Sequence, residues 1–162
     1  MERTAVAEPV NERMKAAFRR YPTGVAILSA RGPDGPVGLT ASSVASVSVT
    51  PPAVSFSLMA TPTARLLLAA PSIVVHLLGS KHAGLADDFA RSDGRRFAPE
   101  QGWDALPSGE PVLPDALGAL RVAPLHRVPV GDATLVVAEV LEVFHGPDDG
   151  RLVYHRRSFV VG

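Results

Sequence analysis

Cysteine is missing from all 162 residues of the chain. Its absence excludes disulfides, thiolate catalysis and cysteine-ligated zinc or iron–sulfur centres, and it fits a cytoplasmic location. Net charge is missing too, since 16 basic side chains balance 16 acidic ones. A chain without a basic footprint is not built around nucleic acid or an anionic membrane surface. Long apolar runs are also lacking. The longest, such as Ile73 to Leu78, are far too short to span a bilayer. The opening MERTAVAEPVNERMK has no apolar centre and does not read as a signal peptide. The five histidines form no HxH or HExxH spacing, so no metal site is expected. GxSxG, GxGxxG and the P-loop pattern are absent, which removes the usual hydrolase elbow and the usual phosphate loops.

What is present reads as one folded domain over residues 1–162, with residues 1–9 as a loose arm. Hydrophobic residues make up 46% and charged ones 20%, enough apolar content to exclude disorder by composition. Val10, Met14, Ala17 and Phe18 fall at helical spacing, with Asn11 as the expected cap of a short helix to Arg20. The pattern then turns to strands. Val25 to Ala30, the turn residues Gly32 to Pro36, and Val37 to Thr40 read as a hairpin. Val54, Phe56 and Leu58 alternate with Ser55, Ser57 and Met59. Pro51 and Pro52 are expected outside any ladder, because neither can donate a backbone hydrogen bond. Thr61-Pro62 reads as a cap with proline in the first turn, and Ser80 as the cap of a helix carrying the Leu85–Phe89 pair.

Ser72 to Leu78 reads as a buried strand, and residues 91–118 as a long loop with one or two short turns, holding Trp103. Leu120 to Arg127 and Thr134 to Phe144 are the late long strands, with 146–150 as a hairpin loop. Leu152 to His155 and Ser158 to Val161 complete the sheet. The expected fold is therefore mainly β (α+β), an antiparallel split β-barrel with a few short helices covering its ends.

One run calls for explanation. Residues 38–58 hold six serines and two threonines beside an apolar strand. Such a run is either a polar strand edge facing water or an anion site. Hydroxyls and backbone amides hold a phosphate without carrying charge, so a net-neutral chain can still bind one.

The ordered pieces FRRYPTGV (18–25), GLTASS (38–43), Val47-Ser48-Val49 with Pro51-Pro52, and LADDFA (85–90) carry a resemblance. Arg96-Phe97, Trp103, GEPVL (109–113), Gly131-Asp132 and LVYH (152–155) extend it to about residues 14–161. In this order and spacing the chain resembles the flavin reductase domain family, FMN-binding split β-barrels that supply reduced flavin to two-component monooxygenases. The resemblance implies FMN or FAD as cofactor, NAD(P)H as co-substrate, a homodimer, and a monooxygenase component as partner. It places the flavin ring near Pro22, Thr23, Gly24 and Val25, and the phosphate and ribityl chain near Thr40, Ala41, Ser42 and Ser43. Ser57, Thr63, Lys81 and Phe89 complete the implied set. Lys81 has two readings, a solvated lysine at a helix start or a partner of the phosphate.

The chain departs from the family at one position. Gly-Asp-His commonly precedes the long late strand, and this chain has Gly131-Asp132-Ala133. Alanine neither donates a hydrogen bond nor moves a proton. His155 and His126 are the histidines left to stand in, with His155 the candidate catalytic residue. Hydride transfer from NAD(P)H to flavin is the leading expectation. A flavoprotein with another electron donor, or a non-catalytic flavin carrier, is the alternative.

Overall fold

In the computed structural model, residues 8–162 are described; most of the expected N-terminal arm lies outside them. Helix α1 spans Val10–Arg19. It starts one residue before the expected cap: Pro9 takes the capping position, and Asn11 Oδ1 instead accepts from the neighbouring Glu12 N–H at 3.1 Å. The chain then enters two short strands, β1 (Thr23–Gly24) and β2 (Ala26–Gly32). β2 turns through Pro33-Asp34 into β3 (Gly35–Ala41), as the turn residues predict.

β4 (Ala45–Val49) and β5 (Pro52–Met59) form the next hairpin. Pro52 pairs with Val49, so it sits inside the ladder and not beyond it. A first strand position tolerates the missing donor. Along β5 the alternation holds: Val54, Phe56 and Leu58 are buried while Ser57 and Met59 face outward.

Helix α2 (Pro62–Ala69) is capped by Thr61, whose Oγ1 accepts from Ala64 N–H at 3.1 Å. β6 (Ile73–Leu77) follows. A short turn of 3₁₀ helix at Ser80–His82 precedes α3 (Ala83–Ala90), so Ser80 opens that turn and does not cap the α-helix. The 91–118 segment holds a short turn, as expected, and a small ladder besides. The turn is 3₁₀, at Pro99–Gln101, and the ladder pairs β7 (Asp104–Ala105) with β8 (Pro111–Val112). The late strands are β9 (Gly118–Val130) and β10 (Ala133–His145), followed by β11 (Leu152–His155) and β12 (Ser158–Val161).

Seven strands make one antiparallel sheet in the order β3-β2-β6-β9-β10-β5-β4. The sheet does not close on itself, which the split form of barrel allows. β11 and β12 leave this sheet and join β1 in a separate three-stranded one. The 146–150 segment is thus a crossover between sheets and not the expected hairpin loop. β10 already has β9 and β5 as neighbours, so no edge remains there for β11.

β2 is buried on both faces, which explains its unbroken apolar run. Leu28 joins Phe56, Leu67, Ile73, Val75 and Val136 in one core. Val25 and Ile27 join Leu78, Phe89, Leu113 and Leu152 in another, under α3 and the small sheet. Two buried polar residues tie the 91–118 segment to the sheet. His76 Nε2 accepts from Leu113 N–H at 3.1 Å while its Nδ1 donates to Ile27 O at 3.0 Å. Glu110 receives Ser72 Oγ at 2.8 Å and the Arg121 Nε–H.

Candidate flavin site

The hydroxyl run is where the main sheet opens. β3 ends at Ala41, β4 starts at Ala45, and Ser42 and Ser43 between them are exposed. These two serines form a wall shared by two clefts.

The first cleft, about 810 Å³, lies between β3, β5, the start of α2 and the end of α3. Seven hydroxyl side chains line it: Thr40, Ser42, Ser43, Ser57, Thr61, Thr63 and Ser92. Some are already committed. Thr40 Oγ1 donates to Ala86 O at 2.7 Å, which locks β3 to α3. Ser43 Oγ accepts from Ser57 N–H at 2.9 Å and bonds Ser57 O at 3.3 Å, which pins the loop to β5. Ser42 keeps its hydroxyl free among the described side-chain contacts. The N-terminus of α2 opens on the same space through Thr61 and Thr63, adding the positive end of a helix dipole.

Arg96 is the one charged residue lining this cleft, and its guanidinium is spent on the backbone. It donates to the carbonyls of Gly38 at 3.1 Å, Asp88 at 3.1 Å, Phe89 at 3.0 Å, Arg91 at 2.8 Å and Gly94 at 3.2 Å. Those carbonyls include the last turn of α3, so one side chain closes a helix end and binds it to β3. Phe89 and Phe97 meet edge to face at 5.1 Å beneath. Gly38 makes room for them: a Cβ there would sit 3.0 Å from Phe97 Cζ and 3.1 Å from Phe89 Cε2.

The second cleft, about 760 Å³, lies on the other side of the serine wall. Pro22, Thr23 and Gly24 line it, together with Phe18, Tyr21 and Tyr154. Thr23 Oγ1 is buried with no hydrogen-bond partner among the described residues. An unpaired hydroxyl of this kind is unfavourable unless something bonds it. Val25 lies in an adjoining apolar hollow of about 320 Å³, which shares Gly24 and Val44 with this cleft. A wall of this kind fits a flat aromatic ring with polar edges, and the hydroxyl cleft fits an anionic tail. The residues present therefore suit a flavin nucleotide laid across Ser42 and Ser43.

Lys81 lines neither cleft. A bridge from Gly79 to Arg151 and a hydrogen bond from Ser80 Oγ to Asp149 O draw its segment toward the crossover loop. There Lys81 Nζ pairs with Asp149 at 2.9 Å and Asp115 at 3.7 Å. The Asp149 hydrogen bond is the main reason its ammonium is held above the ordinary lysine range. His155 also faces away. Its neighbours Tyr154 and Arg156 line the second cleft, and strand alternation turns His155 to the opposite side. Ala133 opens β10 opposite Met59, and His126 is exposed on β9. Sequence reasoning missed Ser92 and the role of Arg96 in closing α3. The Gly94-Arg95-Arg96 run was the one available signal, and nothing local says which carbonyls it reaches.

Residues 18–162 match the flavin reductase like domain family, and the chain belongs to it. It is 43% identical over 150 residues to an NADH:FMN oxidoreductase of Rhodococcus qingshengii, covering 90% of this chain and 78% of that protein. Among solved structures it is similar to a flavin reductase domain protein from Arthrobacter sp. FB24, with TM-score 0.86 and 32% identity over 94% of this chain and 95% of the other. The styrene monooxygenase flavin reductase of Pseudomonas putida S12 is likewise similar, with TM-score 0.82 and 25% identity over 93% and 97% of the two chains.

Proposed function

We propose that this protein is an NADH-dependent flavin reductase that takes FMN or FAD. The observation that carries the reading is the exposed Ser42–Ser43 wall between a hydroxyl-lined cleft and an apolar-backed one. Family membership over residues 18–162 and the activity in the name of the Rhodococcus relative support it. They also weigh against a carrier or a different electron donor, which the alanine at position 133 had kept open.

Flavin supplies the acceptor for the hydride of the reduced nicotinamide. The chain's task is to bind, orient and exclude water. Ser42 and Thr63, with the start of α2, hold the phosphate. Ser43 and Ser57 fix the loop that presents them, and Thr40 with Ala41 forms the floor. Phe89 supports that floor from the core. Pro22, Thr23, Gly24 and Val25 form the ring wall. No side chain is required to move a proton during hydride transfer, which accommodates Ala133.

The whole chain reads as a single domain of this family and as the reductase component of a two-component monooxygenase. The latter is supported by the styrene monooxygenase reductase among its structural relatives. A homodimer is supported by the apolar side chains that β9 and β10 leave exposed, among them Leu125, Val128, Val130, Leu135 and Val143. No helix of the described residues is long and apolar enough to cross a membrane; a cytoplasmic enzyme remains our reading. Anaerobic titration of the FMN-incubated protein with NADH tests the function. Bleaching of the flavin absorbance is expected. A stable yellow solution with both NADH and NADPH would refute the reading.

A further inference from the structure

The second cleft carries charge that flavin binding does not use. Lys15 and Arg19 enter it one turn apart on α1, and Arg156 and Arg157 enter from the β11–β12 turn. Among the described residues no carboxylate lines this cleft, in a chain with equal numbers of acidic and basic side chains. Lys15 has Glu12 at 3.2 Å on the outer rim. Arg19, Arg156 and Arg157 have no ion-pair partner among the described residues.

The turn that brings two of these cations is built against local preference. β11 and β12 are joined by two residues, Arg156 with φ 52° and Arg157 with φ 63°. A side chain with a Cβ is disfavoured in that region, and Asn-Gly is the pair that suits it. Strain of this kind is retained where the surroundings use the residue. Arg156 N–H donates to Arg19 O at 3.0 Å, which ties the turn to the end of α1 and sets three arginines along one rim. Beside them Phe18 and Tyr21 are 62% and 63% exposed, with ring centroids 6.2 Å apart. Exposed aromatic faces next to clustered arginines are suited to an adenine ring followed by phosphates.

Resting on the reductase reading, we infer that Arg19, Arg156 and Arg157 grip the diphosphate of the nicotinamide dinucleotide, with its adenine on Phe18 and Tyr21. The single phosphate of FMN is already matched by the hydroxyl cleft beyond Ser42 and Ser43. A second anionic group is needed to account for the arginine rim, and the reductant brings one. The dinucleotide then lies with its nicotinamide over the face of the flavin ring that the Thr23–Gly24 wall leaves open. The arginines position it and take no part in the hydride transfer.

The test is the double variant Arg156→Asn with Arg157→Gly. It removes two charges and gives the turn its preferred residues, so folding is protected by design. NAD⁺ is titrated by calorimetry into FMN-loaded protein, at low and at high salt. We expect the Kd for NAD⁺ to rise about tenfold at low salt, and its salt dependence to flatten. The KM for NADH should rise by a similar factor with kcat within about twofold, the signature of lost uniform binding. Affinity for FMN should hold, and the thermal midpoint should hold or rise. An unchanged NAD⁺ Kd overturns the assignment, as does a loss confined to FMN or FAD. Absence of FMN reduction in the unaltered protein would instead sink the reductase reading, and the NAD⁺ titration would still decide the arginine assignment.

Discussion

Acid should destabilise this protein through His76. The imidazole is wholly buried, and its two nitrogens are both committed: Nδ1 donates to Ile27 O and Nε2 accepts from Leu113 N–H. Protonation would put a second donor where Leu113 N–H already points, in a fully buried site. Burial is the largest cause of a pKa held down to about 4 from 6.5; the Ile27 carbonyl opposes it and His82 adds to it. The folded form therefore resists the proton that the unfolded chain accepts. Stability is fully present above pH 6.5 and is lost as pH falls from there toward 4. The whole interval, from 6.5 to about 4, corresponds to about 3 kcal/mol. Stopping at about pH 4.5 exposes about 2–3 kcal/mol of it, against the roughly 5–15 kcal/mol typical of a domain.

His82, held below its usual range mainly by burial, acts in the same direction. Glu110 is held down to about 2 from 4.5. Burial pushes it up, but hydrogen bonding, including that from Arg121 and Ser72, outweighs that. Its contribution is therefore lost below pH 4.5, and the two windows barely overlap. Urea unfolding at pH 7 and at about pH 4.5 reads the difference, for the native chain and for His76→Gln. The variant should be less stable at pH 7 by about 1–3 kcal/mol, because Gln does not satisfy both partners. It should lose about 2 kcal/mol less on acidification. Parallel losses in the two proteins, or an NMR titration placing the His76 imidazole near its ordinary pKa, would refute the reasoning.

Three further expectations follow from the site and its supports. Ser42→Ala should weaken FMN binding about tenfold with little effect on stability, whereas Ser43→Ala should lower both, because it frees the Ser57 amide; fluorescence titration and thermal melts separate the two. Arg96→Lys keeps the charge but loses the planar fork that reaches five carbonyls, so stability should fall by about 2–4 kcal/mol and flavin affinity with it. An unchanged melting curve would remove Arg96 from the account. Glu110→Gln should flatten the acid sensitivity below pH 4.5 and destabilise the neutral protein by roughly 3 kcal/mol, since Arg121 loses its buried partner; urea midpoints across that range check it.

Local chemistry alone was enough for several elements. Thr61-Pro62 specifies the start of α2 because capping involves atoms three residues apart. The β2–β3 hairpin follows from its Gly-Pro-Asp-Gly turn, and the face of β5 from strict alternation. The hydroxyl run was visible as composition, and the flavin role proposed for it came from ordered motifs that resemble a family. Other readings failed where a neighbour in space outranked a neighbour in sequence. Residues 146–150 have every mark of a hairpin loop, yet the flanking strands belong to different sheets because β10 has no free edge. Lys81 looks available until Asp149, 68 positions later, pairs with it.

The amino-acid order thus determined most of the strands, their buried faces, the Thr61 cap and the supply of hydroxyls, all of which depend on interactions within a few residues. Folding alone decided which of those hydroxyls stay free. Ser43 is taken by Ser57 and Thr40 by Ala86, while Ser42 remains exposed on the wall between two clefts. It also decided that Arg19, Arg156 and Arg157 share one rim, since Arg19 stands more than a hundred positions from the other two and meets them only because β11 pairs with β1 beside α1. Hydrogen bonding and charge act over a few ångströms of space, and strand pairing sets which distant residues fall within that reach.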